Sequence, residues 1–541
     1  YMTAVRSWWA ELFSRVQPLL LEEGGPIAMV QIENEYGGYG NVHGVPEDEQ
    51  YMRELVGIAR EHLGEAVVLY TVDFGEYAAM RRGSLPGDIV LTAGDCGPGA
   101  NYERLYLGQR LMNPKGLSPQ FIVEWYTGWL VHYGEEMVET SAVQIKDELD
   151  ELLSDGTSVS LYMGHGGSNF GWSSGANVGL DKTQPFMYQM DVQSYDYNAP
   201  LSESGDHGQS DADKYLSVQA ALAKHADGAL PAEPPANPKI LQEVPVTFTE
   251  MALLMDSIDL LRDGAPVTAD APLTMEQLGQ AYGLVLYTTP LGGAGEGQQL
   301  IMDKARDRVT VMVDDKAQWP TLDRGNGLPH TLRLASSGAR LQLLVENEGR
   351  TNFGRDLVDP KGLLRTPRLL GRAGLDGAWT MHRLPLRYQE VAALGYEPLP
   401  AGALARAPLL QQRLRLGRPV GGEQEQGAQQ QQLPSPAFFR AELPPLAGRG
   451  DAWLDTSCWG RGVAWVNGFH LGRYWAVGPQ QALYVPAAVL SFSAPGDGDV
   501  GMVNEVVVLE MDGVVPAAGP AMRLVNAPMF NSTEVLCGAG L

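Results

Sequence analysis

Cysteine is scarce in this chain. Cys96, Cys458 and Cys537 are the only three in 541 residues, too few and too widely spaced for a disulfide framework or a metal-ligand cluster. They read as small buried hydrophobes, with one bridge plus one free thiol as the other arrangement. No apolar run reaches the ~18 residues that a membrane-spanning helix needs, so no span is expected. Basic residues are also few: 39 Lys and Arg stand against 65 Asp and Glu, a formal net charge of −26. Phosphate backbones and anionic lipid surfaces reward the opposite sign, so nucleic acid is not an expected partner and a neutral ligand fits better.

What is present is a change of pattern along the chain. Residues 1–225 alternate short apolar runs with amphipathic stretches. Helical spacing covers 3–22, 51–63 and 135–153, and strand-like runs end or lie at 27–35, 66–73, 89–95, 120–128 and 158–167. Buried strands alternating with helices imply a parallel sheet. Residues 226–239 are rich in Pro and Ala and read as a linker. From 240 onward, runs such as LVLYTTPL, RVTVMVD and NEVVVLEM are short, β-rich and bounded by Gly, Pro, Asp and Asn, the pattern of antiparallel sandwiches. The Gln-rich stretch 421–434 reads as a low-complexity surface insertion. The expected layout is therefore an α/β domain over 1–225, the linker, a first β-rich domain over 240–420, the insertion, and a second β-rich domain over 435–541. Asn531-Ser532-Thr533 is one glycosylation acceptor, a tripeptide that also arises by chance.

Two glutamates stand out in the first part. Glu35 closes the run IAMVQIEN, and Glu124 lies inside the apolar run FIVEW. A carboxylate in an apolar strand is costly without a partner or a task. Paired carboxyls at the C-terminal ends of parallel strands suit glycoside cleavage, in which one protonates the leaving oxygen and the other attacks the anomeric carbon or activates water. Taken alone, either glutamate reads equally well as a structural salt-bridge member. Glu33 competes with Glu35, because it points to the same face of the strand.

The stretch GGPIAMVQIENEYG (24–37) closely resembles the acid/base segment of glycoside hydrolase family 35, the β-galactosidases, and FIVEWYTGWLVHYG (121–134) resembles its nucleophile segment. LYMGHGGSNFGW (161–172), SYDYNAPLSESGD (194–206), MEQLGQAYGLVLY (275–287), LLVENEGRTNFG (343–354) and GVAWVNGFHLGRYWAVGPQQALYVP (462–486) match further family segments in the family's order, closer to its animal and bacterial branch. The resemblance implies an incomplete (β/α)8 TIM barrel followed by β-sandwich and jelly-roll domains, the last of them galactose-binding-like. It implies Glu35 as acid/base and Glu124 as nucleophile of a retaining exo-β-galactosidase that removes terminal β-galactose by double displacement. Asn34 would hold the sugar 2-hydroxyl. Tyr126 would donate to Glu124, Tyr162 would contact the nucleophile or the sugar, and Tyr195 and Tyr197 would close over galactose. Trp125, Trp129 and Trp172 are candidates for an aromatic platform, with at least one of them expected in the core. His165 and His207 read as structural. No metal or cofactor is implied. The substrate would be a galactoside of a glycan, galactan or glycolipid, and the compartment vacuolar, lysosomal or extracellular. The oligomeric state stays open.

The family's barrel carries the acid/base after strand four and the nucleophile after strand seven. Here Glu35 ends the first recognisable strand and Glu124 lies in the fourth, so the spacing agrees while strands one to three have no counterpart. That predicts unpaired edges on the sheet, loss of the spacing between the glutamates, and little or no turnover by this chain. A non-catalytic carbohydrate-binding protein is the alternative reading, and Glu35 as general acid is expected to owe a raised pKa to burial and to the charge of Glu124.

Overall fold

The computed structural model describes residues 1–39, 46–85, 90–178, 188–208, 213–399, 436–493, 503–513 and 521–530, apart from 227, 229, 232, 294, 325–329, 354–356, 372–374 and 376. The Gln-rich stretch 421–434 and the acceptor at Asn531 lie outside the described residues. The chain is multidomain, α/β followed by all-β, and separates into two compact units. The first comprises Tyr1–Trp129, Val138–Gly166 and Asp196–Asn237; the second comprises Leu130–Met137, Gly167–Tyr195 and Pro238–Leu541. Residues 130–137 and 167–195, expected within the α/β domain, thus belong to the second unit.

In the first unit five parallel strands pair in sequence order: β1 (Met29–Asn34), β2 (Val68–Phe74), β3 (Val90–Cys96), β4 (Phe121–Tyr126) and β5 (Ser158–Tyr162). Each falls within one of the strand-like runs of the sequence or overshoots it by a single residue. Among the described residues β1 and β5 each pair on one side only. Among the described residues seven helices accompany them: α1 (Met2–Val16), α2 (Tyr36–Tyr39), α3 (Pro46–Leu63), α4 (Tyr77–Gly83), α5 (Tyr102–Met112), α6 (Ala142–Ser154) and α7 (Lys214–His225). Three helix limits differ from the periodicity, the first being that the helix expected over 51–63 already begins at Pro46. The helix expected over 3–22 ends at Val16, because Pro18 has no amide hydrogen with which to continue the i→i−4 ladder, and Gln17–Leu19 form a 3-10 turn. The helix expected over 135–153 starts at Ala142, where the Ser141 hydroxyl accepts from the Gln144 amide at 3.4 Å and caps an otherwise orphaned donor. Trp125, Ile122 and Met80 pack with Ile145, Leu149 and Leu152 into one core cluster, so β4 is anchored on its helix side by α6.

The second unit is mostly antiparallel. A six-stranded sheet runs in the order Glu397–Pro398, Glu250–Leu253, Ala437–Leu443, Asn504–Glu510, Arg461–Val466, Phe469–Trp475, and a four-stranded sheet in the order Val244–Thr247, Ala521–Val525, Ala452–Asp455, Ala482–Val485. Phe248, Phe439, Trp459 and Val508 are among the residues of one shared core. A separate six-stranded sheet is built from Val267–Ala269, Trp379–Leu384, Leu284–Pro290, Arg340–Glu346, Arg308–Val313 and Lys316–Asp323. Residues 244–253, expected to open the first β-rich domain, are therefore hydrogen-bonded to strands of the last one. Sequence order could not show this, because antiparallel partners lie about 190 residues and more apart along the chain. Cys458 is disulfide-bonded rather than a simple buried thiol, whereas Cys96 is free.

Candidate active site

Parallel strands place the residues at their C-terminal ends on one face, and the acidic groups of the first unit gather there. Glu35 is the residue after β1. Its backbone is left-handed, φ 54°, a conformation uncommon for a non-glycine residue. The Glu35 amide donates to the Val72 carbonyl at 2.7 Å, and the Gly38 amide donates to the Glu35 carbonyl at 2.8 Å, so the neighbouring strand and the following turn hold it in that state. Glu124 lies in β4, directly opposite Asp95 of β3 in the ladder. Carboxyl oxygens of Glu35, Asp95 and Glu124 all lie within 4.8 Å of one another.

The competitor Glu33 is committed elsewhere. One of its oxygens accepts from the Tyr51 hydroxyl at 2.7 Å and the other from the Asn34 amide at 2.6 Å. Asn34 itself is exposed, and its side-chain oxygen accepts from Gln31 at 2.9 Å. Tyr126 departs from expectation: its hydroxyl reaches Glu35 at 3.4 Å, rather than donating to Glu124. The reason is strand geometry, since Tyr126 and Glu124 are two apart on one strand and lie side by side, while Glu35 reaches over from beyond β1.

Aromatic rings surround the cluster. Tyr126 meets Trp129 edge-on at 5.1 Å between centroids, Tyr162 meets Tyr197 edge-on at 5.6 Å, and Trp129 and Tyr197 lie 6.1 Å apart. Trp129 is exposed. Trp125 is fully buried in the core, with its indole nitrogen donating to Tyr102 at 3.2 Å. Trp172 and Tyr195 fall in the second unit; Trp172 packs beside His470, and Tyr195 sits in a two-residue strand paired with Gly167.

Tyr197 is set by an unusual local frame. Tyr197 and Asn198 are both left-handed, φ 63° and 52°. Lys214, buried at the start of α7, donates to the Thr127 carbonyl at 2.7 Å and to the Asn198 carbonyl at 2.5 Å, and it also bonds the Asn198 side chain. It ties the end of β4 to the 196–198 turn. Gly128 permits the approach, because a Cβ there would meet the Tyr197 carbonyl oxygen at 1.6 Å.

Burial, with the charges of Glu35 and Glu124 adding to it, pushes Asp95 up to about 9. Burial and the Glu35 charge raise Glu124 to about 7. Asp73 of β2, also buried, is raised to about 8 mainly by desolvation, against the hydrogen bond that it accepts from the Gly37 amide at 2.6 Å. Asp95, Asp73 and Lys214 were not singled out from the sequence. Asp73 and Asp95 each end a strand-like run in the sequence, as Glu35 does, and that position was the available signal. Lys214 gave none. The expected loss of spacing between the glutamates is not seen, since β1 to β4 form one continuous block that carries all three acids.

Comparison with known proteins bears on this site. The family model described as "Glycosyl hydrolases family 35" matches residues 1–225. The models "Beta-galactosidase, first all-beta domain" and "Beta-galactosidase, galactose-binding domain" match 272–385 and 436–494. Beta-galactosidase 17 of Arabidopsis thaliana is 35% identical over 91% of this chain and 68% of its own length. Beta-galactosidase 8 of Oryza sativa is 32% identical over 98% of this chain and 76% of its own, and the Homo sapiens beta-galactosidase 34% over 98% and 73%.

Proposed function

The chain belongs to glycosyl hydrolase family 35, and we propose that this glycoside hydrolase is a retaining exo-β-galactosidase with Glu124 as nucleophile and Glu35 as acid/base. The observation that supports this most directly is the carboxyl spacing. Oxygens of Glu35 and Glu124 lie within 4.8 Å, short of the ~6.5–9.5 Å that leaves room for water in inverting enzymes and near the ~5–5.5 Å of retaining ones. In the first step a Glu124 oxygen bonds to the anomeric carbon while the glycosidic bond breaks and Glu35 gives its proton to the departing oxygen. In the second, water attacks that carbon, the Glu124 ester breaks, and Glu35 takes the water's proton. On this reading Asn34, exposed beside Glu35, holds the 2-hydroxyl, Trp129 meets a sugar face, and Tyr162 and Tyr197 form the site wall.

The sheet is open at β1 and β5 among the described residues, and a parallel barrel derives its stability from closure. We therefore expect the 541-residue chain to turn over far less than a form in which three further βα units close the sheet. The substrates are β-linked galactosides of glycans, galactans or glycolipids. The Cys458 disulfide suits an oxidising route, which supports a vacuolar, lysosomal or extracellular location; no described helix is long and apolar enough to cross a membrane. Hydrolysis of an aryl β-galactoside and the matching β-glucoside, followed by NMR of the first-formed anomer, tests the reading. Preferential release of β-galactose is expected. Release of the α-anomer, equal use of the glucoside, or sugar binding without turnover in the closed form would contradict it.

A further inference from the structure

A two-carboxylate mechanism leaves the third acid of the cluster without a task. Asp95 is 2% exposed, stands opposite Glu124 in the β3–β4 ladder, and brings a carboxyl oxygen within 4.8 Å of both glutamates. Its Oδ2 is buried with no hydrogen-bond partner among the described residues. A buried carboxylate oxygen without a donor is among the costlier groups a fold can hold, and like charges this close cannot all be ionised. We propose that Asp95 is a positioning residue that shares one proton with Glu35, so that Glu35 faces the leaving oxygen as an acid in the first step and the water as a base in the second. The inference rests on Glu35 being the acid/base.

The proton balance closes over one cycle. At rest the Asp95–Glu35 pair holds a single proton. When Glu35 releases it to the departing oxygen, both members are ionised, and their mutual repulsion makes Glu35 a stronger base for the water that follows. The water's proton then restores the pair. Burial, Glu35 from beyond β1 and Glu124 from β4 favour protonation of Asp95, the hydrogen bond from the Tyr126 hydroxyl of β4 opposes it, and Tyr197 faces it from the turn before α7. On its own strand the next residue is the Cys96 thiol, itself pushed up to about 12 by burial and by Asp95, with Glu148 of α6 adding to it. On β2, Asp73 is a raised carboxyl and Tyr70 faces Glu124. The high proton affinity of Asp95, about 9, accords with a shared proton that persists through neutral pH.

Asp95→Asn keeps the shape and removes the charge. In the closed-barrel enzyme it should move the basic limb of the kcat/KM profile down by about one pH unit or more, which is roughly tenfold at neutral pH. Galactosides with poor leaving groups should lose far more than those with good ones, and Asp95→Glu should recover part of the limb. An unshifted limb, or equal loss on both substrate classes, would show a merely structural residue and overturn the proposal. Glu35→Ala separates the two failures: if it too lacks leaving-group dependence, the assignment of Glu35 is at fault. A readout without turnover is the infrared band of protonated carboxyl at pH 7. It should weaken in Asp95→Asn relative to the parent chain, and a band of undiminished strength would count against the proposal.

Discussion

Asp73→Asn should make the first unit less sensitive to rising pH. Asp73 is fully buried, and its carboxyl is raised to about 8, chiefly by desolvation, from ~3.9 in an unfolded chain. The folded state therefore holds a proton that the unfolded state has released between those values. A raised carboxyl contributes stability below its unfolded pKa and loses it as pH climbs through the folded one, so stability should fall across roughly pH 4–8. One proton corresponds to ~1.4 kcal/mol per pH unit, or ~3 kcal/mol between pH 5 and pH 7.5. For a unit of about 200 residues, each kcal/mol shifts Tm by ~2–4 °C, giving roughly 6–12 °C from this residue. Asparagine resembles the protonated acid: its oxygen can still accept from the Gly37 amide, and its nitrogen takes the place of Oδ2, the oxygen without a partner. The substitution should leave Tm nearly unchanged at pH 5 and raise it at pH 7.5. Calorimetric melts of both proteins across that range provide the assay. Parallel Tm-versus-pH curves, or a parent protein that gains stability as pH rises, would refute the reasoning.

Three further outcomes follow from the site. Glu35→Ala in the closed-barrel enzyme should slow galactosides with poor leaving groups by ~100-fold or more while sparing activated ones, and azide should restore turnover as β-galactosyl azide; an α-azide product would contradict the geometry. Gly128→Ala places a Cβ 1.6 Å from the Tyr197 carbonyl oxygen, so the 196–198 turn must move by more than an ångström; kcat/KM should fall on the order of 100-fold, and wild-type kinetics would show that Tyr197 is not part of the site. Lys214→Met takes the donor from the buried Thr127 carbonyl and the half-buried Asn198 carbonyl, while the Asn198 side-chain oxygen keeps the Thr140 amide at 2.8 Å, and should cost ~2–4 kcal/mol, read by urea unfolding.

The parallel strands were legible because short apolar runs between amphipathic helices admit few other arrangements, and β1 to β5 lie where those runs lie. Glu35 and Glu124 stand out as ionisable residues in apolar strands, but only the family resemblance separates them from structural salt-bridge members. The family resemblance favours Glu35 over Glu33, and the Tyr51 hydroxyl, 18 residues away, occupies Glu33 in the structure. Asp95 and Asp73 occupy equivalent positions, but strand-end aspartates are common turn-formers, and their burial is a property of the assembled sheet. Tyr126 shares a strand with Glu124, which made Glu124 the expected partner; the distance to Glu35 is set by the chain beyond β1 and has no sequence signal. The strands at 244–253 were misassigned because antiparallel pairing across an inserted sheet depends on tertiary packing, which local pattern does not encode.

In the proposed mechanism Glu124 forms the covalent bond to the sugar. Incubating the closed-barrel enzyme with a 2-deoxy-2-fluoro-β-galactosyl inhibitor and mapping the labelled peptide tests it most directly. Time-dependent inactivation with one fluorogalactosyl group on Glu124 within FIVEWYTG is expected. A label on Glu33, Glu35 or Asp95, or turnover without any trapped intermediate, would contradict it.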